Sequence, residues 1–125
     1  MGNMNVKPAD GKLGVLCVGL GAVTSTFMTG VLMARKGLAK PVGSMTQYDK
    51  MRVGRGENKK YLHYGEIVPL ADLKDIVFGA WDVYPANAYE SAINAEVLKE
   101  RDINPVKDEL EKIVPMKAAF DKKFA

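Results

Sequence analysis

At 125 residues the chain has room for one compact domain with a core, or for one piece of a larger one. Its 47% hydrophobic and 26% charged residues are ordinary for a globular protein, and no apolar run reaches a membrane span. A net charge of +3 without a long basic run gives no ground for nucleic-acid binding, and one cysteine excludes a disulfide within the chain.

Residues 1–11 are polar, contain Gly, Asn and Pro, and predict a flexible N-terminal tail. They lack the apolar core of a signal peptide, and with the lone cysteine this leads to the expectation of a cytoplasmic protein. The next stretch organises the rest. Val15, Leu16, Cys17 and Val18 form a short β-prone run that ends in glycine, as a parallel strand buried on both faces does. Gly19 and Gly21 follow, and then a helix is predicted from Ala22 to Lys36. A strand, a Gly-x-Gly turn and a helix start make a phosphate-gripping corner, where the helix offers free N–H groups and its positive dipole end. The third glycine of the full motif falls at Thr24, so a tight strand-to-helix turn without a ligand also fits.

In that helix Val23, Phe27, Val31 and Ala34 recur at helical spacing and mark the face expected against the sheet. The hydroxyls of Thr24, Ser25 and Thr26 crowd the first turn, placed to cap the helix or to meet a phosphate. Arg35 and Lys36 suit the negative dipole end, Gly37 suits a left-handed stop, and Pro41 forbids continuation. Cys17 reads as a small core residue.

Val42 to Gln47 suggests a short strand, and the polar stretch from Tyr48 to Glu66 a long loop or weak hairpin. His63 has no neighbours at metal-ligand spacing. Asp75 to Trp81 is the second clear buried strand, and Asp82 stands just past its carboxyl end, where ligands of parallel sheets gather. Trp81 reads as core rather than as a cofactor platform. A helix is predicted from Pro85 or Ala86 to Arg101, then a short one capped by Asn104 and ended before Pro115. Beyond Met116 no strand is expected. With two clear strands and one doubtful one, the chain reads as an unfinished α/β domain.

Three blocks in order now resemble the inositol-3-phosphate synthase family, also called myo-inositol-1-phosphate synthase. They are Val18-Gly19-Leu20-Gly21 with Ser25-Thr26; Gly43-Ser44-Met45-Thr46-Gln47 with Arg52-Val53-Gly54; and Phe78-Gly79-Ala80-Trp81-Asp82 between Val68-Pro69-Leu70 and Ala88-Tyr89-Glu90. The resemblance covers about residue 12 to the C-terminus. It implies a Rossmann-like parallel sheet with flanking helices over residues 12–125, incomplete in this chain, binding NAD as the N-terminal cofactor-binding part of the enzyme.

The family converts glucose 6-phosphate to inositol 3-phosphate through oxidation, aldol cyclisation and re-reduction, for inositol and phospholipid biosynthesis. The resemblance places Gly19, Leu20, Gly21, Ala22, Val23 and Thr24 beside the NAD pyrophosphate. It also gives Asp82 and Asn87 cofactor contacts. Its catalytic lysines lie in a later region, so no catalytic residue and no metal ligand is assigned, and this chain alone is expected to be inactive. The full enzyme is a homo-oligomer, a tetramer, with no membrane or nucleic-acid partner implied. A stand-alone, non-catalytic NAD or phosphate-binding module is the alternative. Asp49 is a candidate partner for a ribose hydroxyl, which would bear on NAD against NADP.

Overall fold

The computed structural model describes residues 5–119 and 122–124, so part of the predicted tail lies outside the described residues. Its first strand, β1 (Leu13–Val18), leads into helix α1 (Ala22–Arg35). A single turn of helix, α2 (Met45–Tyr48), then precedes an antiparallel hairpin of β2 (Lys50–Val53) and β3 (Lys60–His63). After the short α3 (Tyr64–Ile67) comes the long strand β4 (Ile76–Asp82). Helices α4 (Ala88–Ala95), α5 (Glu100–Ile103) and α6 (Lys107–Glu111) lead to β5 (Met116–Lys117).

The main sheet has the order β1-β4-β5, all parallel, with Leu13 opposite Ile76 and Val18 opposite Trp81. This is one βαβαβ half of a Rossmann-like fold, with the hairpin set between its first helix and second strand. Parallel crossovers are right-handed as a rule, and two taken in one direction lay their helices on one face of the sheet. Met28 and Leu32 of α1, Ala88 and Ala92 of α4, and Ile103, Val106 and Leu110 beyond them form the core on that face. Cys17 and Phe78 of the sheet pack against it, as the small-core reading of Cys17 expects.

The opposite face is bare, which corrects the expectation that β1 is buried on both sides. Leu16 is 62% and Val18 91% exposed, because among the described residues no helix crosses that face. Trp81 pairs with Val18 in register and is half-buried there, outside the core cluster.

Helix α1 ends where the sequence says, with Lys36 closing it and Gly37 left-handed at φ +70°. Its buried face differs from the predicted one. Ser25, Met28, Thr29, Val31 and Leu32 are buried, whereas Val23 is 84% exposed. The helix is apolar on much of its circumference, so spacing of apolar residues did not single out one side. Buried Thr29 is admissible because its Oγ1 donates to the Ser25 carbonyl at 2.7 Å, and Ser25 Oγ to that of Ala22 at 3.3 Å.

Three other expectations are corrected. Val42–Gln47 holds no strand; the Ser44 N–H donates to the Pro41 carbonyl, a turn forms, and α2 begins at Met45. The helix predicted to reach Arg101 stops at Ala95, because Glu96 turns left-handed at φ 54°. Past Met116 a two-residue strand does form, pairing with Trp81 and Asp82. The Tyr48–Glu66 region resolves as the hairpin, and His63 caps α3 in a reciprocal box with Glu66.

Candidate functional site

The carboxyl ends of β1 and β4 lie side by side, and the glycine turn grows from the first of them. Gly19 has φ +103°, a conformation that side chains rarely adopt, and its N–H donates to the Trp81 carbonyl at 2.7 Å. Leu20 is buried under the turn. Gly21 is the N-cap of α1 with extended backbone and no side-chain cap. The first N–H groups of a helix have no partner within it. An uncapped N-terminus therefore presents those of Ala22, Val23 and Thr24 to whatever lies in front. A Cβ built on Gly21 meets nothing within 4 Å, so the space before the turn is open.

Asp82 closes the other side. As the last residue of β4 its Oδ2 accepts the Leu20 N–H at 2.7 Å, and its Oδ1 accepts that of Tyr84 at 3.0 Å. Those backbone donors, Tyr84 first and Leu20 second, hold the Asp82 carboxyl below its ordinary value against the opposing effect of burial. The carboxylate thus stays ionised while it ties the turn to the second parallel strand.

A groove of about 370 Å³ opens between these parts, within the range of small-ligand sites. Its lining includes Gly21 and Asp82, and with them Tyr84, Ser91 and Asn94. The sequence reading missed the last three. Ser91 and Asn94 are spaced three apart on α4, a polar strip beside the buried Ala88 and Ala92, and that spacing is the signal that pointed to them.

The predicted site residues separate into two groups. Gly21, Ala22, Leu20 and Asp82 line the groove, and Gly19 shapes the turn beneath it. Val23 turns its side chain away, toward Val97, leaving its backbone N–H in the first helical turn. Thr24 occupies that same turn without capping it. Asn87 is engaged elsewhere: its Oδ1 accepts the Glu90 N–H at 2.9 Å as the N-cap of α4. Asp49 closes α2 beside the hairpin, so the acid at the end of the second parallel strand is Asp82.

The donor set fits a dinucleotide diphosphate. Exposed helix N–H groups meet diester oxygens, and an ionised acid at the end of the second strand suits ribose hydroxyls. Among the described residues no three His, Cys, Asp or Glu gather to hold a metal, and no helix is long and apolar enough to cross a membrane.

Comparison with known proteins agrees with this geometry. A family model for the NAD-binding domain of myo-inositol-1-phosphate synthase matches residues 13–125. Inositol-3-phosphate synthase 1 of Bacteroides thetaiotaomicron is 59% identical over 96% of this chain and 28% of its own length. Inositol-3-phosphate synthase isozyme 1 of Arabidopsis thaliana is 32% identical over 90% of this chain and 24% of its own. The crystal structure of inositol-3-phosphate synthase from Caenorhabditis elegans superposes with a TM-score of 0.76 at 26% identity, covering 92% of this chain and 25% of that one. The chain thus spans about a quarter of the length of these relatives. It belongs to the myo-inositol-1-phosphate synthase family and carries that family's N-terminal NAD-binding portion.

Proposed function

We propose that the groove between the glycine turn and α4 holds NAD, and that the whole protein makes inositol 3-phosphate from glucose 6-phosphate. The observation that carries the first half is the uncapped N-terminus of α1 facing open space beside the ionised Asp82. In this reading the N–H groups of Ala22, Val23 and Thr24 bind the diphosphate, and Gly21 lets it approach. Asp82 fixes the turn and accepts the ribose hydroxyls, and its charge repels a phosphate on that same ribose. Asn87 acts at one remove, by holding the start of α4. When bound, the cofactor accepts hydride from the sugar and returns it, so the overall reaction is an isomerisation.

The groove lining offers no Lys, Arg or His to move a proton or to hold a phosphate monoester. Those duties fall outside this site, and the 125 residues alone are expected to form no inositol phosphate. We place the whole enzyme in the cytoplasm as a homo-oligomer, by the family likeness.

The test is thermal denaturation of the chain with and without NAD. Binding raises Tm in proportion to the logarithm of ligand concentration over Kd. Gly21→Val, which fills the diphosphate's space, is expected to abolish the shift. A folded wild-type chain that shows no shift at millimolar NAD would sink the reading.

A further inference from the structure

The positive charge of the chain is concentrated in one place, the β2–β3 hairpin. Residues 50–60 carry Lys50, Arg52, Arg55, Lys59 and Lys60 against a single carboxylate, Glu57. That surplus of four exceeds the +3 of the whole chain, so the rest of the molecule is slightly acidic. All five cations are exposed, and among the described residues none of them forms an ion pair.

The strand register sorts these side chains. Lys50 lies opposite His63 and Arg52 opposite Tyr61, and residues directly opposite one another share a face. Lys59 is extended as well, so alternation along the strand sets it on the face of Tyr61 and His63. Met51, Val53 and Leu62 take the other face, and Leu62 is half-buried where β3 packs against α2 and α3. The outer face thus carries three cations around one ring, that of Tyr61, which is 58% exposed. Like charges this close are destabilising until an anion covers them. A Cβ on Gly54 would stand 2.6 Å from the Asn58 carbonyl oxygen, so the loop is closed tightly and holds the two strands in register. The hairpin follows the C-terminal end of α1 and precedes the start of β4, which puts it at the opposite end of the sheet from the glycine turn.

We infer that this outer face of the hairpin binds single-stranded nucleic acid without base specificity. The sequence holds no long basic run, but strand pairing gathers cations that the sequence keeps apart. Charges two residues apart on a strand are about 6.6 Å apart. That spacing suits the successive phosphates of an extended strand better than the oxygens of one phosphate group. Tyr61 among them offers a ring on which any base can stack. An anionic bilayer fits less well, because the apolar residues of the hairpin lie on its inner face and only Tyr61 is left to enter lipid. A duplex would leave the ring unused, since its bases are already stacked.

Anisotropy titration of the whole protein with a short labelled oligouridylate tests this. Each phosphate neutralised on a single strand adds about 0.7 to the salt slope, so Lys50→Gln, Arg52→Gln and Lys59→Gln together should lower it by about 2. Between about 50 and 200 mM salt the wild type should then lose about 20-fold more affinity than this triple variant. Tyr61→Ala is expected to weaken binding about 5- to 100-fold with the slope unchanged, and Tyr61→Phe to bind as wild type. The Tm of these variants should equal or exceed that of wild type, and NAD affinity should not change, since the altered side chains are exposed and stand away from the groove.

A wild-type protein that does not bind the oligomer at low salt overturns the inference, and so does a triple variant with the wild-type slope. Tyr61→Ala binding as tightly as wild type overturns the single-strand reading. Tighter binding to anionic phospholipid vesicles or to polyglutamate than to the oligomer gives the face to a lipid or an acidic protein, and overturns it likewise. None of these outcomes bears on the cofactor reading, which stands or falls by NAD alone.

Discussion

The carboxylate of Asp82 accepts the backbone N–H of Leu20 across 2.7 Å, joining the glycine turn of the first parallel strand to the end of the second. That bond ties together two residues that line the groove. It also occupies one turn amide, leaving a ligand the N–H groups that follow on α1. Asp82→Ala is expected to cost about 1 kcal/mol of stability, the low end for hydrogen bonds to a charged group, because the site is partly exposed. The loss should depend on pH. Asp82 titrates lower in the folded chain than in the unfolded one. Its contribution is complete above the unfolded value of about 4 and fades as the pH falls through the lower folded value. Denaturant midpoints of wild type and Asp82→Asn, compared from pH 7 down to 3, should therefore converge in acid.

Gly19 and Gly21 carry different duties. Gly19→Ala forces a side chain into φ +103° and should cost about 1–3 kcal/mol whether or not a ligand is present. Urea denaturation of the free chain measures it directly.

Gly21→Ser should separate stability from binding in the other direction. The N-cap backbone of Gly21 is already extended, so serine fits and gains a few tenths of a kcal/mol by capping α1. The same hydroxyl then takes a donor that a diphosphate needs. The expected outcome is a Tm equal to or above wild type with NAD affinity reduced several-fold, read by denaturation and titration of one sample. A variant that binds NAD as tightly as wild type would contradict the role given to those N–H groups.

The far end of α1 is held by Arg35. Its Nε donates to the Leu73 carbonyl at 2.6 Å, its Nη2 to that of Ile76, and its guanidinium lies 5.7 Å from the Phe78 ring centre. A lysine keeps the charge but cannot form this fork. Arg35→Lys should destabilise the chain by about 1–2 kcal/mol without changing NAD affinity in the folded protein, as two lost carbonyl bonds imply.

The legible parts of this protein were those whose causes are local. The glycine after Val18, the basic pair with Gly37, and the run from Ile76 each announce an element by the neighbours they need. The bare face of the sheet was not legible. Leu16 and Val18 read as buried because parallel strands are usually covered on both sides, and whether a helix crosses them is decided far away in the chain. The site was half legible. Gly21 and Asp82 stood out, one by its turn and one by its strand end. Asp82's part as the acid of the second strand was hidden by the hairpin inserted between α1 and β4, which made Asp49 the nearer candidate. Asn87, singled out by likeness, is the N-cap of α4, a duty that the Glu three residues later signals.

The Leu20–Asp82 bond joins residues 62 apart in the chain. Everything between them, hairpin included, is a loop that must close before the groove exists, and closing long loops costs entropy before any contact repays it. The helix and the hairpin can form from neighbours alone, but the groove needs this long-range closure. Cofactor added to a refolding chain should therefore slow unfolding far more than it speeds folding. The groove acts as a lock on the finished topology, not as a seed for it.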